Sequence, residues 1–301
     1  MLKVKYIFRT GVAFILLTVC LTRATTVNID QLGLWAGGTI GFGNNVSVDA
    51  PIASGGSISA GNNMSLNSIY TEGGGVWTGN NSIINGNILA NGQVQIGNNV
   101  LIGGSITSFG NFTLPVLNLL EQTAIGTNDI YGEKNSTTTL STGSYKDLSF
   151  DKEATLNLSA GQYSLRNFWA NKSSTVNVDT SAGDVVLNVS GSFSASKDVS
   201  FVNSGSGNFY INVFGHDVRL DDSVKLSAVL KVYGGNIGVD NSVQLAGQFY
   251  ATGNIWLGNN SNLSYISTIS IVPIPEPASL VIFVIMVFFS FIAKNRHPKY
   301  T

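Results

Sequence analysis

Phe42-Gly43-Asn44-Asn45-Val46, Ala60-Gly61-Asn62-Asn63-Met64, Thr78-Gly79-Asn80-Asn81-Ser82 and Ile96-Gly97-Asn98-Asn99-Val100 set the same tripeptide at Gly43, Gly61, Gly79 and Gly97, in steps of eighteen residues. Around these points a six-residue frame fits from Phe42 to Thr107. Its second positions, among them Gly43, Asp49, Gly55, Gly61 and Asn67, all belong to the Gly, Asn and Asp set that tolerates a left-handed backbone. Its fifth positions, including Val46, Ile52, Ile58, Met64, Tyr70, Val76, Val94 and Val100, are apolar at ten of eleven places. An inward residue, a corner and a second inward residue every six positions describe short strands meeting at bends. Three such units make one coil, so the frame predicts an all-β fold, a triangular β-solenoid of about 18 residues per coil. No single coil can bury its apolar side, and coils therefore stack at about 4.8 Å over a shared core. The stacking would align Asn44, Asn62, Asn80 and Asn98 into an amide ladder that either forms a flat binding face or, more simply, stabilises a corner.

The repeat occupies residues 25–110, and the frame breaks after it. Residues 111–138 read as a connector in which Leu114-Pro115-Val116-Leu117-Asn118-Leu119-Leu120-Glu121 suggests a short helix. Residues 139–270 resume strand and turn alternation, as in Ala154-Thr155-Leu156-Asn157-Leu158 and Phe209-Tyr210-Ile211-Asn212-Val213. The eighteen-residue step returns between Gly143-Ser144-Tyr145 and Gly161-Gln162-Tyr163. It returns again between Asp240-Asn241-Ser242 and Gly258-Asn259-Asn260.

Much of the 44% hydrophobic content lies at the two ends. Lys3, Lys5 and Arg9 precede an apolar stretch from Gly11 to Leu21, and Thr22-Arg23-Ala24 supplies small residues for cleavage, so residues 1–24 read as a secretory signal peptide. Cys20, the one cysteine, falls inside it. At the other end Pro275-Glu276-Pro277 leads into an uncharged run over residues 278–293, followed by Lys294, Arg296 and Lys299. Proline blocks helix continuation, the run suits a transmembrane helix, and the basic flank favours the cytoplasmic side.

Residues 271–301, with the triplet, the apolar helix and the basic cluster in that order, resemble the PEP-CTERM sorting signal. The resemblance implies a Gram-negative host that makes exopolysaccharide, and an exosortase-type peptidase that cleaves near Pro275, Glu276 and Pro277. The membrane anchor would then be transient, and the protein would end at the cell surface or in the extracellular matrix. The stretch from about Thr139 to Ile269, carried by the Gly-x-Tyr turns at Gly143 and Gly161, by Val185 to Gly191 and by Gly247-Gln248-Phe249-Tyr250-Ala251, resembles a β-helical domain of unknown function in exported bacterial proteins, some polymer-forming and some associated with pilus assembly. The first half is similar to the bactofilin type of solenoid but lacks that family's charged pattern.

Without residues 1–24 and 278–301 the body carries nine basic residues against seventeen acidic ones, near minus eight, which argues against nucleic acid as a partner. Chemistry has little to build on. Acyltransferase helices with hexad spacing need a catalytic histidine, and the repeat has none. His216 is the one histidine of the body; Asp221, Asp222 and Asp240 lack the spacing of a calcium loop. Arg219 and Lys225 flank Asp221 and Asp222 in a way that suits a lyase or, more plainly, solvated turns. Trp169, Trp256, Tyr233 and Phe249 suit either stacking on sugars or aromatic ladders between coils. The expectation is a structural or adhesive surface protein, with no enzyme activity and no cofactor or metal, that meets exopolysaccharide or its own copies. A carbohydrate-binding module is the alternative, and a carbohydrate-active β-helix enzyme the third.

Overall fold

The computed structural model describes residues 27–110 and 112–266. The signal peptide, Cys20, the triplet Pro275-Glu276-Pro277, the apolar run and the basic flank Lys294, Arg296 and Lys299 lie outside the described residues. Among those described, no helix is long and apolar enough to cross a membrane, and the one helical element is a 3-10 turn at Ile29–Gln31.

The architecture is all-β with parallel sheets, compatible with a β-solenoid. Strands follow one another in threes, and each pairs in parallel with the strand one coil away, as Ile40 does with Ile58 and Ile58 with Val76. One row of strands forms an eleven-stranded sheet. The other two rows form a twenty-stranded sheet, because the long strands Lys225–Tyr233 and Gln244–Ala251 bend through the corner and serve both. Gly247 makes this bend at φ +118, where a Cβ would run into the Ala228 backbone.

The order of the eleven-stranded sheet departs from the order of the sequence. Val94–Ile96, Val76–Thr78, Ile58–Ala60 and Ile40–Phe42 are followed directly by Ile255–Leu257, Ile237–Val239 and Val218–Leu220. Phe193–Ala195, Asn167–Ala170, Asp147–Phe150 and Ile130–Gly132 complete it. The two repeat regions are thus one stack, spliced where the first coil of the chain meets its last. Leu34–Ala36 lies between Phe249–Ala251 and Ile52–Ser54, and Ser47 and Val48 lie between Asn262 and Leu263 on one side and Ser65 and Leu66 on the other. Residues near both described ends meet there. Tyr265 donates its hydroxyl to Asp30 O at 2.8 Å, and the Tyr250 hydroxyl reaches Ile29 O and Leu32 O at 2.9 and 3.0 Å.

The chain must therefore travel from one end of the stack to the other between its two repeat regions. Eleven strands place the outermost pair about 48 Å apart, and the sixteen residue steps from Gly110 to Gly126 reach about 55 Å when fully extended. This is why the helix expected over Leu114 to Glu121 does not form: eight helical residues would cover only about 12 Å. The connector is instead an extended strap. Phe112 O accepts from Asn91 Nδ2 at 3.0 Å, Leu114 N donates to Glu72 Oε2 at 3.0 Å, Thr123 Oγ1 meets Ser164 Oγ at 2.7 Å, and Gly126 N donates to Tyr145 O at 3.1 Å. Phe112, Leu114 and Leu117 cover the outer side chains of Trp35, Ala53 and Tyr250 in a second apolar cluster.

The main core runs inside the coils, with Ile52, Ile58, Leu66, Val76, Ile84 and Ile88 buried in the first region. Phenylalanines serve the second, where Phe168 and Phe193 stack at 4.7 Å. The six-residue frame fails at one place. It directs Tyr70 and Glu72 inward, whereas Ile69 and Thr71 are buried and Tyr70 packs against the strap cluster. A one-residue slip, with Ile69 opposite Ile52 and Ile88, keeps the Glu72 carboxylate out of the core and frees it to hold the strap.

Candidate functional site

Each coil has one non-glycine residue in the left-handed region at the same corner: Asn45, Asn63, Asn81 and Asn99 in the first region, then Asn260, Ser242, Ser223, Asp198, Ser173, Glu153 and Asn135 down the second, with φ from 55 to 62. The corner glycines Gly43, Gly61, Gly79 and Gly97 sit two residues before this position. Replacing Gly61 or Gly79 would press a Cβ onto the glycine backbone of the preceding coil. Beside them an amide ladder crosses the splice. Asn241 N donates to Asp222 Oδ1, Asn259 N to Asn241 Oδ1, Asn44 N to Asn259 Oδ1 and Asn62 N to Asn44 Oδ1, all between 2.7 and 3.0 Å, and Asn80 and Asn98 extend it. The ladder satisfies corner N–H groups that no strand reaches, which is the corner-stabilising role.

A second, shorter ladder edges the other side of the eleven-stranded sheet. Asn236 N donates to Asp217 Oδ1, Asn254 N to Asn236 Oδ1 and Thr39 N to Asn254 Oδ1, each at 2.8 Å. Between the two ladders the register brings one outward residue of each strand into a single row. Trp77 is paired with Gln95 and Ser59, Trp256 with Gly41 and Gly238, Trp169 with Ser194 and Ser149, and Tyr131 with Ser149. The four rings are 40%, 54%, 37% and 62% exposed, respectively. The spaces between them hold serine or glycine, apart from Arg219. The Trp256 ring lies over Gly41, where a Cβ would collide with ring atoms Cε3 and Cζ3, so glycine is what allows the indole to lie flat on the sheet. A groove of about 280 Å³ runs beside it, lined by Arg219, Gly238 and Trp256 and by the ladder residues Asp217, Asn236 and Asn254.

Of the four aromatics singled out from the sequence, only Trp169 and Trp256 are in this row. Phe249 is in the core. Tyr233 is buried and stacks on Phe214 at 5.3 Å, and burial pushes its phenol up to about 12. Trp77 and Tyr131 were missed. Trp77 directly follows the inward Val76 in the hexad, so the frame itself marks it as outward. Tyr131 has no such signal, because it lies in the stretch read as connector.

The charged candidates do not converge. His216 is exposed in a turn, and Lys225 lies on a different strand row from Arg219. Arg219 Nε donates to Asp221 Oδ1 at 2.7 Å and its guanidinium faces Asp240 at 3.7 Å. Asp222 is engaged by the Asn241 amide. Among the described residues, no three His, Cys, Asp or Glu side chains are grouped to hold a metal ion. Elsewhere Arg166 pairs with Asp147 and, chiefly through that hydrogen bond, holds its carboxyl below the usual range.

The fold defines an all-β chain of parallel sheets. No protein-family model matches this chain, and neither a curated protein nor a solved structure does.

Proposed function

We propose that the chain is an exported surface or extracellular-matrix protein, with a three-sided β-solenoid body and a C-terminal sorting tail, that acts by displaying a repetitive face rather than by catalysis. The observation that carries this reading is the eleven-stranded sheet, whose outer side presents a row of exposed rings between two amide ladders. The strap covers a different row of strands and leaves this one open. A repetitive face engages a repetitive partner by many weak contacts whose sum is strong, which suits a polysaccharide matrix. The Pro275-Glu276-Pro277 triplet, the apolar run and the basic flank support export with a transient anchor and processing by an exosortase-type peptidase.

Two measurements test the reading in an exosortase-containing bacterium. Mass spectrometry of the released protein should find a chain ending near the triplet; an intact tail on most released molecules would overturn the sorting assignment. Deleting residues 43–78, two whole coils that rejoin Phe42 to Gly79, should lower retention in the matrix while the protein remains folded and exported. Unchanged retention would overturn the display role.

A further inference from the structure

We infer that the aromatic row of the eleven-stranded sheet is a binding site for an extended, unbranched and uncharged glycan of the β-1,4-linked type, laid along the stack with about one sugar per strand. The inference deepens the display reading and rests on it for the place where the site would meet its ligand. Neighbouring strands are about 4.8 Å apart, close to the length of one pyranose in a fully extended β-1,4 chain. Trp77 stands three strands from Trp256, Trp256 four from Trp169, and Trp169 two from Tyr131. Along a straight line neighbouring rings are therefore about 14, 19 and 10 Å apart, each within a fraction of a sugar length of three, four and two sugars. A compact or helical glycan would leave that line within a few residues.

The chemistry at each ring agrees. The C–H groups of a pyranose face pack on the π face of an indole, and its equatorial hydroxyls need donors and acceptors at the edges. Trp256 supplies a ring laid flat over Gly41, and Asp217, Asn236 and Asn254 stand at its edge. Serine and glycine between the rings keep the floor low. Arg219 is the one cationic residue in the row, and Asp221 and Asp240 neutralise it, so the row offers no unpaired cation to an anionic polymer. Trp77 comes from the first repeat region, Trp256 and Trp169 from the second and Tyr131 from the stretch just before it; the splice alone brings Trp77 into their row.

The test uses the purified full chain with swollen cellulose and chitin as probes and glycogen as a compact α-linked comparator, read by co-sedimentation and by quenching of tryptophan fluorescence. Binding to at least one β-1,4 probe and not to glycogen is expected. Trp256→Ala and Trp169→Ala should each weaken it roughly tenfold, the value of about one stacked ring, with the circular dichroism spectrum unchanged, since both side chains face outward. Gly41→Ala should weaken it as well by lifting an intact Trp256 off the sheet, an effect that loss of apolar area would not produce. Failure to bind either β-1,4 probe, equal binding to glycogen, or full affinity in the doubly substituted Trp169→Ala, Trp256→Ala chain would overturn the site. If matrix retention survives in that double variant, the site fails and the display reading stands; if retention is absent in the unaltered protein, the display reading itself fails.

Discussion

The backbone N–H of Asn44 donates to Oδ1 of Asn259 at 2.7 Å, across 215 positions of sequence, in the same geometry by which Asn62 N meets Oδ1 of Asn44 at 2.8 Å across eighteen. A rung between the ends of the chain is thus equivalent to a rung between neighbouring coils. The splice is as regular as the repeat on either side of it, and the chain closes one stack from two separately encoded pieces.

The left-handed corner makes a first prediction. Asn63 has φ +58 and donates its side-chain amide to Asn45 Oδ1 at 2.9 Å. Asn63→Val should cost about 2 kcal/mol, because a β-branched side chain is strained there and the rung is lost. Asn63→Gly should cost less than half of this. Thermal melts of the two variants check the order.

Inward charge separates the middle of the first region from its end. Val76 is fully buried, whereas Val100, in the outermost coil, is only half-buried. Val76→Asp should cost about 4 kcal/mol or more, as a buried carboxylate without a partner does, and Val100→Asp clearly less. Urea unfolding midpoints measure the difference, and equal losses would refute the assignment of inward positions.

Strap length is a third lever. Deleting Leu119, Leu120 and Glu121 removes about 10 Å of reach from a segment that has less than that to spare. The strap should detach at one end, exposing Trp35 and Tyr250, with a red-shifted tryptophan emission. Inserting three glycines at the same place should leave the emission unchanged.

Alkaline pH should act on the splice. Burial raises the Tyr250 phenol above its usual value of 10, so the folded chain holds the proton more tightly than the unfolded chain. The stability this contributes is complete below about pH 10 and is lost as pH rises from there toward the folded value. Tyr250→Phe should cost about 1 kcal/mol at pH 8, through its bonds to Ile29 O and Leu32 O, and that deficit should shrink at pH 11. Paired melts at the two pH values decide it.

Much of the repeat is legible in the sequence because small left-handed corners and inward Ile and Val recur at a fixed step. The splice was legible too in one respect: Gly258-Asn259-Asn260 repeats the tripeptide of Gly43-Asn44-Asn45, and like corners stack on like. Periodicity along a chain says nothing about which pieces adjoin in space, so that signal reads as a mere return of the coil. The strap is not legible because Leu114, Leu117 and Glu121 fit a helical pattern, while the length it must span is a property of the stack and not of the segment. The slip at Tyr70 arises in the same way, from a carboxylate that finds its partner at Leu114, 42 positions away. The aromatic row is invisible in sequence because its members come from strands that neighbour one another only in the fold.

The splice also governs the order in which the molecule can form. The inner edge of the first coil, Leu34–Ala36, Ile40–Phe42 and Ser47–Val48, is complete as soon as the N-terminal residues emerge, yet its covering strands are among the last residues described. The first region must therefore wait with one apolar edge bare, or stay loosely formed, until Gln244–Ala251 and the strands after it arrive. Contacts separated by more than two hundred residues are slow to find, so the splice closes after the coils on either side of it. A chain halted before Gln244 would carry an unsealed edge, prone to pairing with any other exposed strand, which ties successful maturation to synthesis of the whole body.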